Sequence, residues 1–341
     1  MKIIIVGLGT AGKHYINILA NNRSHEIFVL DILKIKNSKK YKITTFKEIE
    51  TNNLKFDHAI ICTPSGLHFE HASFFLTRGS NVLIEKPFVL RLDHANKLIM
   101  IANKKKLKCW TALQNRYNLA TSKLSDELRK NKIGKINLID CTMLWHRNEK
   151  YYKNGWRGRY SLDGGVLTNQ AIHLLDILVY NFGKIKYFDV FGEFNQKKLE
   201  AEDLIIINFK HMNGAVSSFK ATTRADMNYR SAIDIIGSKG RIIVKGVSLN
   251  TFNKFKKQKL FYDSKNSEEF DKNLGAAGGM GFGHKKILRE FLSNKKKSSR
   301  DLEISKNIYL LKLIHSIYNN IRYRKIFNVI TSCYFYKIVC I

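Results

Sequence analysis

"KIIIVGLGTAGKHYINILA", Lys2 to Ala20, decides how this chain folds. An apolar run, Ile3 to Val6, leads into a glycine loop and then into apolar positions at helical spacing. Such a run reads as a strand buried on both faces. Gly7, Gly9 and Gly12 fill the pattern G-x-G-x-x-G. The first glycine permits the tight turn, the second lets backbone approach a pyrophosphate, and the third lets the helix pack on the strand. The helix N-terminus then offers amides to the phosphates. A second strand, "EIFVLD", ends in Asp31. A carboxylate there suits the adenine ribose hydroxyls and repels the phosphate of NADP, so NAD is expected over NADP. Lys34 and Lys36 are the neighbours that blur this choice.

The plan then repeats. "FDHAIICTPSGLHFEHASFFLTRG" gives a strand, a loop at Thr63-Pro64-Ser65 and a helix, and "NVLIEKPFVLRLDHANKLIMIANKKK" does the same before a last strand in "LKCWTALQ". Alternating strands and helices predict a doubly wound parallel sheet with ligands at the C-terminal strand ends. Pro64 and Pro87, the chain's 2 prolines, both sit just past a strand. Lys86, in Glu85-Lys86-Pro87, is therefore a candidate to donate to a substrate hydroxyl, with burial lowering its pKa toward a useful range. In so lysine-rich a chain, the bland alternative is a surface lysine.

After "QNRYNLATSKLSDELRKNKIG", Gln114 to Gly134, the pattern changes to long strands: "KINLIDCTMLWH", "KIKYFDVFGEF", "DLIIINFKHM", "AVSSFKATTR", "SAIDIIGS" and "GRIIVKG". Asn213-Gly214 predicts a type I′ hairpin, and Gly237 to Gly240 another turn. The second half is expected to be a large, mainly antiparallel sheet with few helices. One helix is expected in "SLDGGVLTNQAIHLLD", Ser161 to Asp176. On a continuous helix Asn169 and His173 share a face, and Asp176 could orient the imidazole. A satisfied core histidine is the competing reading.

Bulk properties set the limits. At 341 residues the chain exceeds the roughly 250–300 at which single cores stop growing, so two domains are expected. We place them at 1–118 and 119–320, with a C-terminal extension at 321–341. The net charge of +31 comes with scattered lysines and no nucleic-acid motif, which favours compositional drift over a nucleic-acid partner. The 5 cysteines show neither CxxC nor zinc spacing, which implies reduced thiols, a cytoplasmic setting and no metal. "MKIIIVGLGT" does not read as a signal peptide, and no stretch reads as a membrane span. The tail "IRYRKIFNVITSCYFYKIVCI" is basic and apolar. It reads as packing (an edge strand or dimer contact) before an interfacial membrane patch or an extension without a role.

Taken in order, GxGxxG, "TPSGLH", "EKP", "QNRYN" and "GGVLTNQAIHLLD" resemble the Gfo/Idh/MocA oxidoreductases over about residues 1–320. The resemblance implies a Rossmann domain, then an open sheet that often mediates homodimers or homotetramers. It implies that Lys86 and His173 meet at the substrate. Cofactor contacts are expected from Gly7, Leu8, Gly9, Thr10, Ala11, Gly12, Asp31, Thr63, Pro64, Ser65, His68, Glu85 and Lys86. Many members carry Asp where this chain has Asn169, which weakens a polyol-dehydrogenase assignment. "YYKNGWRGRYSLDGG" looks most like the branch acting on nucleotide-linked sugars, including UDP-N-acetylglucosaminuronate 3-dehydrogenases of surface-polysaccharide pathways.

The expected chemistry is oxidation of a secondary sugar hydroxyl, with His173 taking the proton directly or through Lys86. Lys86 would also stabilise the developing charge on oxygen. Glu85 would orient Lys86 or hold the nicotinamide ribose. Asn169, Arg116, Tyr117, Trp156, Arg157 and His284 are candidates for the sugar and its anionic groups. Gly164-Gly165 would let the chain pass close to the nicotinamide. Other readings are a free-sugar or inositol-type polyol dehydrogenase, NAD-assisted glycoside cleavage, and a non-catalytic NAD-binding regulator.

Overall fold

The computed structural model describes residues 1–20, 24–33, 36, 38–153, 155–194, 199–256, 267–269, 283–293, 295 and 297–327. Lys34 and residues 328–341 of the tail lie outside them. The chain forms two compact units. The first is Met1–Gln114 with Ser161–Asp163 and Phe282–Tyr309, and the second holds the remainder.

The first unit is a six-stranded parallel sheet. Its strands are β1 (Lys2–Val6), β2 (Glu26–Leu30), β3 (Lys42–Ile43), β4 (His58–Ile61), β5 (Asn81–Ile84) and β6 (Cys109–Thr111), in the order β3-β2-β1-β4-β5-β6. Every pairing is parallel. Helices α1 (Thr10–Leu19), α2 (Phe46–Thr51), α3 (His68–Thr77) and α4 (Leu92–Lys105) fill the connections. Ile3, Ile4, Ile5 and Val6 are wholly buried, as a strand covered on both faces requires. The order reverses between β1 and β4, the switch point where such sheets bind ligands. A later helix, α9 (Gly283–Leu292), returns to this unit, and Lys108 Nζ donates to the carbonyl of Phe291 at 2.7 Å.

The second unit is an eight-stranded sheet built from β7 (Ile136–Leu144), β8 (Ile185–Glu193), β9 (Leu204–His211), β10 (Val216–Thr222), β11 (Arg230–Gly237), β12 (Gly240–Lys245), β13 (Thr251–Lys256) and β14 (Ser267–Glu269). The order is β14-β13-β12-β11-β7-β10-β9-β8, and only β10 with β7 is parallel. Helices α5 (Leu119–Arg129), α6 (Glu149–Tyr152), α7 (Val166–Asn169) and α8 (Ile172–Phe182) precede most of its strands. The last helix, α10 (Ile304–Phe327), continues through the first residues of the tail. Among the described residues no helix is long and apolar enough to cross a membrane.

Two local expectations are corrected. The Asn213-Gly214 hairpin exists, but Gly214 is left-handed (φ +86°) and Asn213 is not, so the turn is not type I′. Gly214 N–H donates to His211 O, and His211 N–H to Ala215 O. That is the three-residue hairpin loop, a type I turn followed by a left-handed residue. The helix expected across Ser161 to Asp176 is two helices, broken at Gln170-Ala171. Asn169 ends the first and His173 lies in the first turn of the second, so helical i,i+4 geometry does not relate them.

Candidate active site

In the first unit each glycine of the loop has its own reason. Gly7 has φ +95°, and a Cβ on it would lie 2.7 Å from the Cys62 carbonyl oxygen. A Cβ on Gly12 would run into the carbonyl of Gly7. Above Gly9, by contrast, a Cβ would meet nothing within 4 Å. The protein itself therefore demands Gly7 and Gly12, while the bare backbone at Gly9, which caps α1, is open to a ligand. Leu8, Thr10 and Ala11 complete this cradle, with the first-turn amides of α1 at its end. Asp31 closes the other side. Its carboxylate accepts from the Leu8 N–H at 2.6 Å and the Leu33 N–H at 2.8 Å. Ile32 and Leu33 follow it, 95% and 73% exposed, an apolar surface beside the acid. These features fit a dinucleotide: amides for a pyrophosphate, an acid for ribose hydroxyls, apolar surface for a base.

The loops after β4 and β5 are tied together by His68. Its ring is buried, with Nδ1 2.9 Å from Pro87 O and Nε2 2.8 Å from Thr63 O. Burial lowers its pKa, opposed by the two carbonyls. His68 thus does not offer a ring nitrogen to a cofactor; it holds the Thr63-Pro64-Ser65 turn against the Lys86-Pro87 turn. Thr63 Oγ1 contacts His71 Nδ1 at 3.0 Å, and Ser65 is buried.

Glu85 sits at the end of β5 and is also buried. Tyr15 of α1 donates to its Oε1 at 3.0 Å, His284 Nε2 of α9 lies 3.3 Å from the same oxygen, and the Lys86 N–H donates to Oε2 at 3.2 Å. Burial alone would raise this carboxyl. The His284 contact, the charge of Lys86 and the Tyr15 hydroxyl outweigh it and bring the pKa down to about 2. His284, expected to touch the sugar, is instead fully buried against Glu85, 5.4 Å from the Tyr15 ring. Lys86 itself is half-buried, and its bond to Pro87 is cis.

In the second unit, Gly164-Gly165 serve neighbours of their own. Gly164 is left-handed (φ +77°), with Thr168 where its Cβ would be, and a Cβ on Gly165 would overlap the carboxyl of Glu202. Glu202 is buried and accepts from the Leu167 N–H at 2.8 Å and the Tyr318 hydroxyl at 3.1 Å. The hydroxyl of Tyr318 also accepts from the Gly165 N–H at 3.2 Å. This pair fixes the start of α7 and hence the place of Asn169.

His173 is half-buried. Asp176, expected to orient it, is taken by Arg116, whose Nε donates to Oδ2 at 2.9 Å. Both partners are buried, and the guanidinium lies 4.5 Å from the Tyr180 ring centroid. Arg116 is thus held by an internal acid, and Tyr117 is buried in the core. Arg157 and Asn169 meet at a residue that sequence reasoning missed, Tyr151, and Trp156 lies against Arg157. Arg157 lies 4.1 Å from the Tyr151 ring centroid and 4.8 Å from that of Trp156. The Tyr151 hydroxyl accepts from Asn169 Nδ2 at 3.4 Å and Gln170 Nε2 at 3.3 Å. The available signal was the aromatic–Arg spacing inside "YYKNGWRGRY".

Residues 1–113 match the oxidoreductase family with an NAD-binding Rossmann fold, and residues 121–243 match the GFO/IDH/MocA C-terminal domain. The chain belongs to the GFO/IDH/MocA family. Its Rossmann domain is accordingly an NAD-binding domain. Two WlbA dehydrogenases of similar fold have been solved with NADH and UDP-GlcNAcA. The one from Bordetella pertussis is 22% identical, with a TM-score of 0.76 over 94% of this chain and 96% of that one. The one from Chromobacterium violaceum is 23% identical, with a TM-score of 0.79 over 95% and 94%. At these identities the likeness is one of fold. Myo-inositol 2-dehydrogenase of Thermotoga maritima is 24% identical over 269 residues, 74% of this chain and 77% of its own.

Proposed function

We propose that this chain is an NAD-dependent dehydrogenase that oxidises a secondary hydroxyl of a sugar, and that the sugar is nucleotide-linked, of the UDP-N-acetylglucosaminuronate type. One observation carries the reading. A lysine follows directly on a buried carboxylate that accepts from the Tyr15 hydroxyl of α1 and from the Lys86 N–H, with His284 Nε2 of α9 3.3 Å away. A pure binding protein has no need of that arrangement.

The bound nicotinamide supplies the hydride acceptor. Lys86 donates a hydrogen bond to the reacting oxygen and stabilises charge as it develops there. Glu85 fixes the backbone of Lys86 through the Lys86 N–H, which sets the place of the side chain in this turn. His173 receives the hydroxyl proton, directly or by way of Lys86, a role worth about 10²–10⁴-fold. Asn169 hydrogen-bonds a sugar hydroxyl.

The test is nicotinamide absorbance with NAD⁺ and UDP-N-acetylglucosamine, its uronate, glucose and inositol. Lys86→Ala is the control. Turnover on a UDP-sugar that is lost in the variant is expected. Turnover only on glucose or inositol discards the nucleotide-sugar assignment, and NAD binding without turnover on any of them discards the enzyme reading for this panel.

A further inference from the structure

Arginine supplies 15 of the 59 basic residues of this chain, and 3 of those fall between Arg147 and Arg159. Drift toward lysine does not produce such a cluster. Arg78, Arg91, Arg116, Arg129, Arg224 and Arg241 each hold a carboxylate. Arg147 and Arg157 are half-buried, yet among the described residues neither forms an ion pair. Nearby Glu149 is exposed and pairs with neither.

Both guanidiniums address one ring. Arg157 lies 4.1 Å and Arg147 5.3 Å from the centroid of Tyr151, and Arg147 also lies 4.8 Å from that of Trp145. Backbone and amide oxygens take part of their donor set: Tyr151 O from Arg157 at 3.3 Å, and His146 O and Asn228 Oδ1 from Arg147 at 2.6 and 3.2 Å. Arg157 Nε is buried and finds no acceptor among the described residues. A stacked guanidinium is held in plane, weakly hydrated, and keeps its fork of N–H groups for an oxyanion. A buried donor with nothing to bond is costly unless a ligand supplies the acceptor.

We propose that Arg147 and Arg157, carried on Tyr151, form a clamp that selects substrates bearing a carboxylate or phosphate. The proposal rests on the dehydrogenase reading and names the chemistry of its substrate. It also accounts for the departure at position 169. The Tyr151 hydroxyl joins the clamp to Asn169. An aspartate there would place a negative charge at the hydroxyl of the ring that carries both arginines and repel an incoming anion. Asparagine leaves the clamp charged.

The test is calorimetric binding in the presence of NADH with four probes: UDP-N-acetylglucosamine (diphosphate only), glucuronate (carboxylate only), UDP-N-acetylglucosaminuronate (both) and glucose (neither). Arg157→Met and Arg147→Met are compared with wild type, together with Asn169→Asp, which keeps both arginines should the others misfold. Anion affinity is expected to fall about 10- to 100-fold in the methionine variants, and to fall in Asn169→Asp, while NADH affinity stays within twofold. Loss on both UDP-sugars but not on glucuronate assigns the clamp to the diphosphate, and loss on both uronates but not on UDP-N-acetylglucosamine assigns it to a carboxylate. Folded variants that bind every anion as wild type does overturn the clamp, as does a wild type that binds none. Arginine-dependent anion binding without turnover on any sugar leaves the clamp standing and removes the dehydrogenase reading instead.

Discussion

The carboxyl of Glu202 occupies the space that a Cβ on Gly165 would need. The glycine pair before α7 is thus explained inside the second unit, by a buried acid that also receives the Leu167 N–H. Gly165→Ala must push against backbone and carboxyl atoms of Glu202 that are fully packed. We expect it to destabilise the second unit by about 1–3 kcal/mol, the range of overpacking substitutions. Urea unfolding would read this. An unchanged midpoint would show that Glu202 has room to move.

Glu202 also gives stability a pH dependence. Burial, reinforced by the charge of Asp203, outweighs the hydrogen bonds from Leu167 and Tyr318 and raises its pKa from 4.5 to about 8. The folded state keeps the proton where the unfolded state has lost it. Its stabilising share is therefore complete below pH 4.5 and is lost as pH rises through about 8, at roughly 1.4 kcal/mol per pH unit. Other groups titrate in this window, so the difference between wild type and Glu202→Gln is the quantity to follow. That difference should grow steadily in favour of the variant from pH 5 to 8. A flat difference would mean the carboxyl is ionised in the folded protein.

Gly9 separates folding from cofactor binding. It is not left-handed, and a Cβ there meets nothing within 4 Å, so Gly9→Ala should unfold like wild type. The same methyl occupies the backbone surface on which a pyrophosphate would lie. NADH affinity, read by nucleotide fluorescence, should drop about tenfold or more, the equivalent of one lost close contact of roughly 1.4 kcal/mol. Full-strength binding in a normally folded variant would move the cofactor away from this loop.

What could be read in advance follows the range of the interactions. The stretch from Ile3 to Gly12 spells strand, turn and helix within a dozen residues, and the strands from Ile136 onward announce themselves by alternation and by their glycine turns. The break between Asn169 and Ile172 carries no proline or glycine, so a continuous helix was the natural reading of that segment. His284 meets Glu85, Asp176 meets Arg116, and Glu202 meets Gly165 across separations that no local pattern encodes. For the same reason a histidine and an arginine expected at the substrate turn out to hold other residues in place. The cluster on Tyr151 lay within one quoted segment, yet only the fold shows that its two guanidiniums share a ring.

The Arg116–Asp176 pair supplies the last prediction. Burial pushes the Asp176 carboxyl up, and the guanidinium 2.9 Å away pulls it back. Removing one partner leaves the other charge buried and uncompensated, which typically costs 3–5 kcal/mol. Asp176→Asn should therefore lower the thermal midpoint of the protein sharply. Were Asp176 instead the partner of His173, the same substitution would leave stability nearly intact and flatten the pH profile of turnover. Arg116→Met with Asp176→Leu removes both charges and should recover much of the loss, because replacing a buried ion pair with apolar side chains is often near neutral. Unfolding of wild type, Arg116→Met, Asp176→Leu and the double variant measures the coupling directly. A coupling near zero would place Asp176 with another partner.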